Sequence, residues 1–161
     1  MTPADTQTIT FRRYEPRDRE AVRSLHDEAL NEVGAHLGKG AWDADLHAIE
    51  SVYLHDGGEF LVGLLDAKVV AMGALRRTSG GRAQVTRMRV APDLQGKGIG
   101  QRILDRLHGR AAELGYDSLH LDTTVQQVAA RRLYEKNDYE EVGRGTVGPF
   151  SCLYYERKIG A

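Results

Sequence analysis

Three glycines at alternate positions, Gly96, Gly98 and Gly100, stand in the segment Val90-Ala-Pro-Asp-Leu-Gln-Gly-Lys-Gly-Ile-Gly100. Glycine admits positive φ and lets a ligand come close to the backbone. The segment joins a strand-like stretch to the most strongly helical stretch of the chain. The first N–H groups of a helix have no intrahelical acceptor, and the dipole is positive there, so such a loop is suited to gripping a phosphate. Lys97 and Arg102 add positive charge nearby. A plain glycine-rich connection is the competing reading. Two familiar phosphate loops each fail on a named residue. A Walker A loop needs Ser or Thr after Gly-Lys, and here Gly98 follows Lys97. A dinucleotide fingerprint starting at Gly96 would need its last glycine where this chain has Gln101.

Other reactive residue types offer less. Cys152 is the only cysteine, which rules out an intrachain disulfide and a Cys-cluster zinc site and fits a reducing compartment. His26, His36, His47, His55, His108 and His120 show no metal-ligand spacing, so no metal is expected. Trp42 could stack on a cationic or aromatic ligand, but a core anchor is the better reading. Asp43, Asp45, Glu50, Asp56 and Glu59 are scattered acids that read as solvated surface.

The elements that must position the loop follow from periodicity. Ile9–Arg13 alternates like a strand, and Pro16 opens a helix with the stripe Ala21, Val22, Leu25, Ala29, Leu30. Gly34–Gly40 breaks the pattern. Asp43 is placed to cap a second helix carrying Leu46, Ile49, Val52 and Tyr53. Glu59–Leu65 and Lys68–Arg77 are apolar runs joined at Asp66-Ala67, a hairpin signal. In Arg82–Ala91 the buried parity changes between Val85 and Met88, as a β-bulge would cause. Lys97–Leu114 is a helix with Ile99, Ile103, Leu104, Leu107, Ala111 and Leu114 on one face, and Ser118–Thr124 is a strand. Val125–Lys136 is expected to be a helix with the stripe Val128, Ala129, Leu133. Two strands, Tyr139–Val142 and Ser151–Lys158, close the chain, with Gly143, Gly145 and Gly148 read as turn residues. The class is α/β or α+β on a mixed sheet.

The 161 residues suit one domain, with residues 1–7 a flexible tail. Lys plus Arg number 22 against 23 Asp plus Glu, so charge gives no general pull toward nucleic acid or anionic membrane. Met1–Thr8 is polar and does not read as a secretory signal, and no apolar run approaches the roughly 20 residues of a membrane helix. A cytoplasmic protein is expected, with no membrane and no nucleic-acid partner.

Two segments together resemble a family. Arg87-Met-Arg-Val-Ala-Pro-Asp-Leu-Gln-Gly-Lys-Gly-Ile-Gly100 is similar to motif A of the GNAT N-acetyltransferases, in which Gln95, Gly98 and Gly100 fill the Gln/Arg-x-x-Gly-x-Gly/Ala core. Ala130-Arg-Arg-Leu-Tyr-Glu-Lys-Asn-Asp-Tyr139 is similar to the family's Ala-x-x-Leu-Tyr-Glu-Lys-x-Gly-Phe segment. The match is specific over residues 82–142. The resemblance implies a V-splayed mixed sheet of six or seven strands flanked by helices, with acetyl-CoA as cosubstrate. By position, the backbone of Met88, Arg89 and Val90 would pair with the pantetheine arm. Gln95, Gly96, Lys97, Gly98, Ile99, Gly100 and Gln101 would form the pyrophosphate loop.

Tyr134 matches the tyrosine that protonates the CoA sulfur. Asp122 lies where some relatives place a catalytic Glu, and Gln84 stands where many carry Glu. Gln127 replaces an Asn near the CoA arm, and Asp138 replaces a Gly in a turn. The implied activity is transfer of an acetyl group to a primary amine by direct attack on the thioester. The acceptor is a small molecule or, alternatively, a protein N-terminus or lysine. A non-catalytic CoA-binding module and a nucleotide-binding module are the rival classes. The protein is expected to be a monomer or a homodimer.

Overall fold

The computed structural model describes residues 8–32 and 41–159. The expected tail at 1–7 and the break at Gly34–Gly40 lie outside the described residues, as do the side chains of Trp42 and Asp43. Seven strands form one sheet: β1 (Thr10–Arg13), β2 (Glu59–Leu65), β3 (Lys68–Ser79), β4 (Arg82–Val90), β5 (Ser118–Thr124), β6 (Glu140–Val147) and β7 (Phe150–Lys158). Their order is β1-β2-β3-β4-β5-β7-β6, and every neighbouring pair is antiparallel except β4 with β5. Three α-helices accompany them: α1 (Arg19–Glu32), α2 (Ile99–Glu113) and α3 (Val128–Lys136).

Asp66 and Ala67 both take positive φ, 52° and 65°, as the tight turn between β2 and β3 requires. Between β3 and β4 the register passes from Met72↔Arg89 to Ala74↔Thr86, so Arg87 and Met88 together oppose Gly73. This is the bulge that the parity change anticipates, and Arg87 takes φ 57° in it. It re-aims the strand. Plain alternation from buried Val85 would turn Arg87 and Arg89 onto the same face as Val85. The bulge instead turns Met88 toward α2 and both arginines to the other side. A Cβ on Gly73 would stand 2.5 Å from Ile103 Cγ2 of α2 and 2.6 Å from Met88 Sδ. α2 can lie this close only over a glycine, and its Ile99, Ile103, Leu104, Leu107 and Ala111 are all buried.

β4 and β5 are paired only over Arg82–Gln84 with Ser118–His120. Beyond them β5 continues against β7 and β4 against β3, so the sheet opens in a V. The V is where α2 begins.

Three expectations need correction. Residues Ala41–His47 form a 3₁₀ helix and Glu50–Leu54 a π-type turn, where one regular helix was expected. The stripe Leu46, Ile49, Tyr53 is buried as expected. Gly143 and Gly145 are not turn residues but lie inside β6, under the ring of Tyr154 on β7. A Cβ on Gly145 would collide with the Tyr154 hydroxyl. The turn itself is at Gly148, with φ 55°. Third, Val128 and Ala129 of α3 are exposed. No described helix is long and apolar enough to cross a membrane. No group of three His, Cys, Asp or Glu among the described residues could hold a metal ion.

Candidate active site

The loop before α2 follows from its glycines. Gly96 and Gly98 take φ 77° and 81°, and Gly98 is the N-cap of α2 in the left-handed conformation. The first bond of α2 runs from the Arg102 amide to the Gly98 carbonyl, at 3.2 Å. The amides of Ile99, Gly100 and Gln101 therefore have no partner inside the helix. Nothing lies within 4 Å of where a Cβ would stand on Gly96 or Gly98, so the loop faces open space. Gln95 folds back, its Nε2 donating to the Val90 carbonyl at 3.2 Å.

The loop forms one end of a cleft of about 390 Å³ in the mouth of the V. Met88, Arg89, Val90, Gln95, Gly96, Gly98, Ile99, Gly100, Gln101, Gln127 and Tyr134 all line it, so the structure gathers nearly the whole predicted set in one place. Lys97 and Asp122 are both exposed and outside the lining, Asp122 on β5. Asp122 accepts a hydrogen bond from Gln84 Nε2 at 2.9 Å. Gln127 is turned differently from the expected arm contact: its Oε1 accepts from the amide and hydroxyl of Thr124 at 3.1 Å each and from the Thr123 hydroxyl at 3.2 Å. Only its amide nitrogen remains for a ligand.

Tyr134 comes from the far wall, on α3. It is 5% exposed, edge-on to Tyr139 at 5.6 Å between ring centres. Burial pushes its phenol up to about 12; Arg89 opposes the shift and Asp122 adds to it. The hydroxyl thus keeps its proton at neutral pH and lies within the electrostatic reach of both side chains. Gln101 and Asn137 clasp α2 to α3 by reciprocal amide bonds of 2.7 and 2.8 Å.

Sequence reasoning missed Arg132 and Lys136, which line the cleft from α3. The available signal was two like charges at i and i+4, which oppose a helix unless something anionic lies beside them. It also missed the fate of two of the scattered acids. Asp45 is not on a solvated surface: Arg87 grips it through Nε at 2.9 Å and Nη2 at 2.5 Å, and the Tyr53 hydroxyl donates to it. Burial acts to raise the Asp45 carboxyl, but Arg87 and Tyr53 outweigh it and hold it low. Glu59 is buried as well, bound by Arg13 through two bonds of 2.9 Å.

The model of the Acetyltransferase (GNAT) family matches residues 19–139. The chain belongs to that family, and is a GNAT-family acetyltransferase. It is 34% identical over 163 aligned residues to the IAA acetyltransferase of Azospirillum brasilense, covering 94% of this chain and 98% of that protein. Among solved structures, a GNAT acetyltransferase of Staphylococcus aureus Mu50 superposes with a TM-score of 0.87 at 20% identity, covering 94% of this chain and 99% of that one. The PaiA N-acetyltransferase of Thermoplasma acidophilum, solved in complex with coenzyme A, superposes with a TM-score of 0.75 at 17% identity, covering 94% and 99%. The likenesses to solved structures establish the fold.

Proposed function

We propose that the protein transfers an acetyl group from acetyl-CoA to the primary amine of a small molecule, by direct attack of the amine on the thioester. One observation carries the reading: a single cleft joins a left-handed glycine loop with outward amides to a buried, protonated phenol. The residues present fit the cosubstrate. The open space at Gly96 and Gly98 leaves the amides of Ile99, Gly100 and Gln101 accessible to a pyrophosphate. Arg132 and Lys136 flank that end with positive charge. Bound acetyl-CoA supplies an activated acyl thioester.

The chain's own residues then have three tasks. Beyond Gln84 the backbone of β4 parts from β5, so that Met88, Arg89 and Val90 can hold the pantetheine arm on that edge and offer an N–H to the carbonyl oxygen of the thioester. Asp122, steadied by Gln84, accepts the proton that the amine loses as its nitrogen bonds to the acyl carbon. Tyr134 gives its proton to the sulfur as the carbon–sulfur bond breaks, and regains one from solvent.

Titration calorimetry with acetyl-CoA and CoA tests the binding half, and release of free thiol in the presence of amines tests the transfer. Tyr134→Phe is expected to lower turnover by roughly 10²–10⁴-fold with little change in CoA affinity. Absence of CoA binding at millimolar concentration would sink the reading.

A further inference from the structure

The backbone of Arg87, at the bulge of β4, takes a conformation that its side chain resists. Among the described residues, Asp66, Ala67, Arg87 and Asp138 have positive φ without being glycine. Asp66 and Ala67 form a hairpin turn and Asp138 follows α3, whereas Arg87, at φ 57°, stands inside a strand. Glycine is the usual occupant of a left-handed bulge position. A larger residue persists there only when its surroundings hold it, and such positions gather at functional sites. The next three residues, Met88, Arg89 and Val90, line the cleft.

A chain of contacts reaches Arg87 from the sheet. Phe60 of β2 receives the ring of Tyr53 edge-on, 5.4 Å between ring centres. The Tyr53 hydroxyl donates to Asp45, and Asp45 accepts the two-bond fork of Arg87. The side chains of Arg87 and Asp45 are only 13% and 10% exposed, so water screens the pair little. The irregular segments Ala41–His47 and Glu50–Leu54 serve this arrangement. A regular α-helix sets residues eight apart about 12 Å from one another along its axis. The 3₁₀ and π-type turns instead bring Asp45 and Tyr53 into hydrogen-bond contact.

We infer that Asp45, backed by Tyr53, is a positioning residue for acetyl transfer: its grip on Arg87 holds the bulge that aims a main-chain N–H of β4 at the carbonyl oxygen of the thioester. The inference rests on the acetyl-transfer reading of the cleft. A bulge inserts one residue into a strand, so it decides which later N–H groups meet β3 and which face the gap beside β5. One peptide link joins the gripped residue to Met88. A donor fixed before charge develops on the oxygen is worth more than one that must turn toward it. The fork suits this task because two parallel bonds fix direction as well as distance.

The test uses the full chain. Asp45→Asn keeps the shape of the side chain and removes the charge that the fork grips. Thiol release from acetyl-CoA is followed over a panel of amino acids, polyamines and arylalkylamines. On the amine that the native chain turns over fastest, kcat should fall by roughly 10–100-fold, the scale of a misplaced catalytic contact. The Kd for CoA, by titration calorimetry, should move by less than about threefold, because the free thiol has no carbonyl oxygen to meet the N–H. The second readout needs no acceptor: the infrared carbonyl stretch of bound acetyl-CoA, labelled with carbon-13. Hydrogen bonding lowers this stretch in the native chain, and Asp45→Asn should raise it. Adding Arg87→Gly to Asp45→Asn should recover most of the lost kcat, since glycine takes φ 57° unaided. Native kcat and an unmoved stretch in Asp45→Asn overturn the inference, as does a loss that Arg87→Gly leaves unrepaired; the acetyl-transfer reading then stands. Should Asp45→Asn not fold, Tyr53→Phe decides, since it removes one bond to the carboxylate and keeps the ring. A kcat about threefold lower with a raised stretch supports the inference, and native values of both overturn it. If the native chain binds no CoA and releases no thiol with any amine, both readings fail together.

Discussion

His108 of α2 is held neutral by its surroundings. Burial and then the nearby charge of Arg157 push its imidazole down to about 4. Arg157 Nη1 donates to His108 Nδ1 at 3.1 Å, so the neutral ring carries its hydrogen on Nε2 and donates it to the Tyr139 hydroxyl at 2.8 Å. Tyr139 in turn buttresses Tyr134. A histidine whose folded pKa lies below its unfolded value takes up protons on unfolding. Stability should therefore fall as pH drops from about 6.5 toward about 4 and level off below. Urea melts at pH 7 and pH 5 check this: the native chain should lose more stability between the two than His108→Gln does. At Asp45 the expected effect is larger. Asp45→Ala removes the carboxylate that Arg87, 13% exposed, grips with two bonds, and should cost about 3–5 kcal/mol in the same melts.

Ala67 carries a conformational cost at the β2–β3 turn. Its φ of 65° is one that a side chain with Cβ resists. Ala67→Gly should raise stability by about 1 kcal/mol, read as a higher denaturant midpoint at unchanged slope. Several elements were legible in the residues. The two-residue interruption Asp66-Ala67 between apolar runs gave away this hairpin, and the broken alternation at Val85 and Met88 gave away the bulge. β5 falls at Ser118–Thr124 as predicted, because Leu119 and Leu121 alternate with His120 and Asp122. The second helix was not legible in its true form. Leu46, Ile49 and Tyr53 fit an α-helical stripe, yet Ala48 bonds back three residues to Asp45 and His55 five residues to Glu50. Over so short a run, apolar spacing does not distinguish these ladders. Ala129 misled for another reason: an apolar residue that faces a ligand cleft has the same periodicity as one that faces a core. At the site, the glycine loop was visible because positive φ restricts residue choice, while the pairing of Arg87 with Asp45 depends on a fold that brings together positions 42 residues apart.

At the scale of the whole molecule, a ligand that binds only the folded chain stabilises it by mass action. CoA at about 100 times its dissociation constant adds roughly 2.7 kcal/mol. For a chain of 161 residues that is a rise in Tm of about 5–10 °C, measurable by scanning calorimetry with and without CoA. Gly98→Val should abolish most of this rise. A branched side chain resists φ 81° and would fill the space above the loop.

The three-residue pairing of β4 with β5 makes the molecule two leaves on a short seam. The larger leaf holds β1 to β4, and the smaller one β5, β7 and β6. Side chains of α2 lace them together, Gln101 with Asn137 at the end of α3 and His108 with Arg157 of β7 beside the seam. Anything wedged into the gap touches both leaves and acts as a removable stitch. The smaller leaf should breathe more when the stitch is absent: its amides should exchange hydrogen for deuterium sooner than those of β2 and β3, and slow down once CoA is added.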